Sequence, residues 1–199
     1  MPEFIKCYTQ GCLVNTLGGY RPVEDLKKGD LVWTLDAGLK PVKAMTRRKV
    51  IAPEGNDLPV RISKNALGMN APYADMIVSR QHCFLFDSPI AVRMFGERQV
   101  FVRAKDMLAL DDVDIAMSET SVTYIHILLD EHQVIDVNGC LSESVLKGEM
   151  VMRAVSVDVP PETPARMIPN GSSARQLVAR HIKNNQPACP AATNVKCRA

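Results

Sequence analysis

The feature that most constrains the fold is a succession of short runs rich in β-branched and apolar residues, each ended by turn-forming residues. The runs are four to eight residues long, a length typical of strands. Pairs such as Gly18-Gly19 and Asn138-Gly139, which tolerate a positive φ, lie between runs. The runs cover residues 31–35, 40–46, 60–63, 76–79, 82–86, 99–102, 122–129 and 133–137. This pattern predicts an all-β fold.

Helix is predicted only as single turns, at residues 22–27 and 104–107, and as one longer segment near the C-terminus at about 173–183. The apolar face expected for that segment consists of Leu177, Val178 and Ile182. His181, on the same segment, is expected at the surface.

A change in composition near residue 157 predicts how the chain is divided. From there the sequence is rich in proline, and its last fifteen or so residues contain almost no large apolar side chains. We therefore expect a short flank at 1–6, one domain at 7–156, and an extension at 157–199 that carries the helix and ends in disorder.

Charge and cysteine usage exclude several classes of protein. The formal charge of +2 comes from scattered residues, so no basic stripe indicates nucleic-acid binding. No signal peptide or membrane-spanning run is present, which by default predicts a cytoplasmic chain, and we expect a monomer. The cysteines form no CxxC pair and no regular framework, so neither a metal, another cofactor nor a disulfide scaffold is predicted. The six cysteines are Cys7, Cys12, Cys83, Cys140, Cys189 and Cys197.

Three residues have the chemistry that an attack of the chain on its own backbone requires. Cys7, close to the N-terminus, can attack the carbonyl of Lys6 as a nucleophile. His82 can protonate the departing amide nitrogen, because the pKa of histidine lies near neutrality. Ser79, three residues earlier, can orient the peptide or bind the developing oxyanion.

Four blocks of the sequence stand in an informative order. The first is Cys7-Tyr8-Thr9-Gln10-Gly11, and the second joins Pro22-Val23-Glu24-Asp25-Leu26 to Gly29-Asp30-Leu31-Val32. The third is Val78-Ser79-Arg80-Gln81-His82, and the fourth runs from Tyr124-Ile125-His126 through His132 to Asn138-Gly139-Cys140-Leu141. Together they resemble the Hint domain of hedgehog autoprocessing proteins and inteins, and the segment from Gly139 to Ser144 is similar to its bacterial branch. The resemblance extends from Cys7 to about Gly148.

The resemblance implies a horseshoe-like all-β fold with pseudo-twofold symmetry, in which the first and last strands meet at the active site. It also implies an N-to-S acyl shift at Cys7, assisted by Ser79 and His82, where Ser79 replaces the threonine of the family's Thr-x-x-His motif. His126 lies in a block where inteins often carry a further catalytic group, so it is a candidate second acid or base. The expected substrate is the chain's own N-terminal flank, and water or a small external nucleophile would resolve the thioester in a single turnover.

The chain departs from inteins at its second catalytic end. Inteins end in His-Asn, whose asparagine cyclises, whereas Glu143 and Ser144 occupy the aligned positions. We therefore expect N-terminal cleavage without full splicing. Six residues precede Cys7 in this sequence, and three interpretations stay open: a fragment of a longer protein, release of a short peptide, or a relic that keeps only the fold. The alternative functions are a catalytically silent interaction or secretion-associated module and a thiol hydrolase.

Overall fold

The computed structural model describes residues 6–68, 70–146 and 163–189, and their strands form two antiparallel sheets. The first sheet has six strands, in the spatial order β11-β7-β8-β1-β12-β6. Its strands in chain order are β1 (Tyr8–Thr9), β6 (Ala44–Ile51), β7 (Val60–Ile62), β8 (Met76–Val78), β11 (Val113–Ile115) and β12 (Ser121–Leu128). The short strand β1 is therefore central, with β8 on one side and β12 on the other.

The second sheet has eight strands, seven of which follow the order β10-β9-β14-β13-β2-β4-β5, while β3 pairs with β2. They are β2 (Leu13–Thr16), β3 (Gly19–Pro22), β4 (Leu31–Thr34), β5 (Gly38–Pro41), β9 (Cys83–Asp87), β10 (Gln99–Arg103), β13 (Val134–Val137) and β14 (Cys140–Glu143). Buried side chains of both sheets form one continuous core. The predicted all-β fold is confirmed.

Helices are few in the described ranges. The two predicted single turns are short 3-10 helices, Val23–Asp25 and Ala104–Asp106, and a third one lies at Gly55–Asp57. The α-helices are α1 (Pro89–Phe95) and α2 (Gly171–Lys183). No helix of this part of the chain has both the length and the apolar character needed to cross a membrane.

Helix α1 corrects the prediction that, apart from the C-terminal segment, helix occurs only as single turns. Its signals are nevertheless local: the Ser88 side chain accepts a hydrogen bond from the amide of Ala91, and Pro89 occupies the first turn. Gly96 ends the helix in the left-handed region, with φ of 77°, a conformation that glycine adopts without strain. The helix was overlooked because it has only seven residues and lies between two strands of a β-rich sequence.

The C-terminal helix α2 is where it was predicted, but the assignment of its buried face was partly wrong. Leu177 and Val178 are buried as expected, whereas Ile182 is 48% exposed. His181 is fully buried and makes hydrogen bonds with Ser88 and with the carbonyl of Pro187, so its expected surface position was wrong. The face includes Ala174 and His181 because a helix repeats every 3.6 residues.

The segment after α2 also differs from the prediction of a disordered end. Ala188 and Cys189 are buried, and the amide of Cys189 donates to the carbonyl of Leu67. The chain thus remains packed on the domain up to Cys189. The rest of the predicted disordered end, Cys197 and the predicted domain boundary at 156/157 lie outside the described residues.

Candidate active site

The register of the first sheet places the candidate nucleophile between two other predicted site residues. Tyr8 pairs with Val78 on β8 and with Ile125 on β12, so the preceding residue, Cys7, lies opposite Ser79 and His126. His126 in turn pairs with Thr46 on β6. Side chains in such a row are direct neighbours, because residues opposite each other in antiparallel strands are about 5 Å apart.

Cys7 and His126 are in hydrogen-bond contact. The Sγ of Cys7 lies 2.7 Å from Nε2 of His126, and both side chains are buried. On the far side of the ring, Nδ1 lies 2.8 Å from Oγ1 of Thr46. A neutral imidazole has one donor and one acceptor nitrogen. A protonated thiol donates to Nε2, so Nδ1 carries the ring proton and donates to Thr46.

Burial sets the protonation states of this pair. It raises the pKa of the Cys7 thiol well above its usual value, although the charge of Arg48 and a hydrogen bond with Ser79 act in the opposite direction. Burial lowers the pKa of His126 to about 4. The resting pair at neutral pH is therefore a thiol and a neutral imidazole, with the base already aligned to take the thiol proton.

Ser79 contacts the peptide bond between Lys6 and Cys7. Its Oγ accepts a hydrogen bond of 2.8 Å from the Cys7 amide, and its own amide donates to the Cys7 carbonyl at 3.0 Å. The Ser79 hydroxyl was predicted either to orient the peptide or to bind the developing oxyanion, and these contacts correspond to the first role.

His82 lies beside the same strand, stacked on Tyr8 with ring centroids 4.2 Å apart. Burial lowers its pKa to about 4, although the negative charge of Glu143 acts in the opposite direction. Neither of its ring nitrogens has a hydrogen-bond partner among the residues that the structure describes. A buried polar group without a partner is costly in a folded protein, and such groups are often retained for function.

The two sheets meet at this site. The hydroxyl of Tyr8 donates to the carbonyl of Glu143 at 2.9 Å and lies 2.7 Å from Oγ of Ser142, both on β14. The side chain of Glu143 is fully buried, and its Oε1 accepts from the amide of Cys83 at 2.9 Å. Its Oε2 lies 3.4 Å from Nζ of Lys6 and 3.2 Å from Nε2 of His132.

The profile of the Hint domain family matches residues 6–149. The chain belongs to this family. A solved structure of the bacterial intein-like domain from Clostridium thermocellum is similar, with a TM-score of 0.52 and 13% identity over 70% of this chain and 99% of that one. A DnaB intein from Synechocystis matches with a TM-score of 0.46 and 12% identity over 70% of this chain and 99% of that one. A search of curated proteins found no match.

The Hint domain thus places Ser79 and His126 in direct contact with Cys7, while His82 is stacked on the neighbouring Tyr8. His126, which the sequence offered only as a second acid or base, is thus the imidazole in contact with the Cys7 sulfur. His132 does not touch Cys7 in the described contacts; its Nδ1 accepts from the amide of Ala165 at 2.9 Å.

Two residues with contacts in the site were missed as candidates. Thr46 had no local signal, because its role depends only on the pairing of β6 with β12. Glu143 was noted as a departure from inteins, and the signal that was available is its charge between Ser142 and Ser144, close to the apolar Cys140-Leu141. No cluster of metal-ligating side chains occurs within 6–68, 70–146 or 163–189.

Proposed function

We propose that this Hint domain cleaves its own backbone between Lys6 and Cys7. The observation that carries the proposal is the contact of 2.7 Å between the Cys7 sulfur and Nε2 of His126, next to a peptide bond whose amide is held by Ser79. A buried thiol with a raised pKa needs a base to become a nucleophile, and His126 is aligned for that role.

The reaction begins when His126 takes the thiol proton and the sulfur attacks the carbonyl carbon of Lys6. The carbon–nitrogen bond then breaks, and a carbon–sulfur bond joins Lys6 to the Cys7 side chain as a thioester. The departing nitrogen takes up one proton and becomes the free amine of Cys7. His82 is the proposed donor of that proton, because its ring is stacked on Tyr8, the residue next to the new amine, and neither ring nitrogen has a hydrogen-bond partner among the described residues. A neutral imidazole can give a proton from one nitrogen and take one up at the other, so the proton that the thiol lost to His126 is the one that the amine gains overall, and both rings end neutral.

Water or an external thiol or amine then attacks the thioester and releases the flank. The position at which inteins carry the penultimate histidine holds Glu143, and Ser144 follows it in place of the cyclising asparagine. The proposed outcome is therefore cleavage at the N-terminal junction without splicing.

The experiment measures the intact mass of the full chain after incubation with a small thiol. The wild type is expected to lose residues 1–6, whereas Cys7→Ala keeps its full mass. Cys12→Ala is the matched control, because Cys12 is equally buried but its sulfur contacts the carbonyl of Ile77 and no imidazole. A wild-type chain that keeps its full mass contradicts the proposal. The chain would then be a catalytically silent module that has only the fold.

A further inference from the structure

The last residue of the segment to be released buries a charge inside the domain. The side chain of Lys6 is only 10% exposed, and its Nζ lies 3.4 Å from Oε2 of Glu143, which is fully buried. The ammonium group of a lysine is rarely buried unless its charge is paired. Because Lys6 leaves with the flank while Glu143 stays, this ion pair joins the substrate to the protein.

Among the partners of Glu143, Lys6 is the one whose positive charge balances this carboxylate. Cys83 contributes a neutral amide to Oε1. The Nδ1 of His132 accepts from the amide of Ala165, so this ring is a neutral one whose proton is on Nε2, the nitrogen that faces Oε2. Although burial acts to raise the pKa of Glu143, the close contact with His132 and the charge of Lys6 hold it below its usual value. Glu143 is therefore a carboxylate at neutral pH.

A neutral residue in place of Lys6 would leave this carboxylate buried without its cation. Removing one partner of a buried ion pair is far more costly than removing one of an exposed pair, because the remaining charge can reach neither water nor a counterion. The same substitution would also remove the ion pair that holds the Lys6 side chain, in the residue that precedes Cys7.

We infer that Glu143 is a specificity-determining residue that selects a lysine immediately before the nucleophilic cysteine. The inference rests on the proposed cleavage and adds the class of substrate, a segment that ends in a long basic side chain. Glu143 is a positioning residue here, since it acts on the scissile carbonyl through the side chain of Lys6. Arginine keeps the charge and retains part of the activity, whereas an apolar or acidic residue does not.

The test compares the rates of thiol-induced release for Lys6 and Lys6→Met in two backgrounds. With Glu143 present, Lys6→Met is expected to slow release by at least about tenfold. In Glu143→Gln the same change is expected to alter the rate less than about twofold, because glutamine keeps an oxygen for the Cys83 amide but carries no charge to balance. A purely structural role of Glu143 would lower the rate of release in Glu143→Gln but would not abolish the preference for lysine at position 6.

The matched control is the exposed ion pair between Lys43 and Asp130, whose charged atoms lie 3.0 Å apart. Lys43→Met and Asp130→Asn are expected to release the flank at the wild-type rate. A Lys6→Met chain that is cleaved as fast as the wild type overturns the inference, and so does a preference for lysine that persists in Glu143→Gln. These results differ from a failure of the cleavage proposal, in which even the wild type releases nothing.

Discussion

At the residue scale, the thiol of Cys7 and the imidazole of His126 form a neutral hydrogen-bonded pair rather than an ion pair. Burial favours this state, because it disfavours both the thiolate and the imidazolium. Such a pair keeps the nucleophile inactive until the proton moves within the site. This arrangement suits a reaction that takes place once in the life of the chain.

The contact geometry makes a prediction about which histidine activates the thiol. His126→Gln is expected to slow thiol-induced release by about 10²–10⁴-fold, the usual contribution of a general base. The rate is measured by intact mass over time. His181→Gln is the matched control, a buried histidine whose ring nitrogens bond Ser88 and the Pro187 carbonyl rather than Cys7. Release from His126→Gln at the wild-type rate would show that this imidazole is not the base.

At the element scale, strand pairing assembles the site. Strand β1 has only two residues, yet its insertion between β8 and β12 decides which side chains face Cys7. A shift of register by one residue would turn His126 to the opposite face of the sheet. The candidate site is therefore a property of three paired strands rather than of any one loop.

Several strand positions were predictable from the sequence, whereas strand partners were not. The predicted run at 40–46 was wrong as a single strand, because it spans the end of β5 and the start of β6. Runs such as 122–129 predicted β12 within one residue, because alternation and β-branching are local signals. The contact of Thr46 with His126 depends on the pairing of β6 with β12, which no local pattern encodes. His82 and Ser79 were predicted from their side-chain chemistry together with a spacing shared with a family, whereas the contact of His126 with the sulfur depends on the register.

The C-terminal helix α2 is predicted to contribute to the stability of the whole domain. Leu177 is fully buried against the core, so Leu177→Ala is expected to lower the free energy of unfolding by about 2–5 kcal/mol. Ile182 on the same helix is 48% exposed, and Ile182→Ala is expected to cost less than about 1 kcal/mol. Denaturant unfolding measures both. Equally small changes in the free energy of unfolding for the two variants would show that α2 does not contribute to the stability of the domain.

At the scale of the whole molecule, the domain buries several ionisable groups around the segment from Lys6 to Tyr8. His82, His126 and the carboxylate of Glu143 all lie within the protein rather than in an open cleft. Buried ionisable groups make folding sensitive to pH, because the unfolded chain binds protons at its ordinary pKa values. The same groups therefore connect the site to global stability.

The lowered pKa values of the two histidines predict a loss of stability in acid. Both groups have pKa values of about 4 in the folded state, whereas histidine in an unfolded chain titrates near 6.5. Between these values the unfolded state binds more protons, so the free energy of unfolding falls as pH falls from about 6.5 to 4. Each histidine contributes up to about 3 kcal/mol to this loss.

The measurement is denaturant unfolding of Cys7→Ala, which keeps the chain intact, at pH 7.5, about 5.5 and about 4.5. His82→Phe is expected to flatten part of the pH dependence, because phenylalanine fills a similar volume and has no proton to bind. A free energy of unfolding that stays constant over this range would contradict the assigned protonation states.

The central claim is that this chain forms a thioester at Cys7, and trapping with hydroxylamine tests it most directly. Hydroxylamine attacks a thioester far faster than an amide, so the product records which bond was activated. The account predicts a peptide of residues 1–6 that ends in a hydroxamate at Lys6, a remainder that begins at Cys7, and neither product from Cys7→Ala. An intact wild-type chain, or a hydroxamate at any other residue, would contradict it.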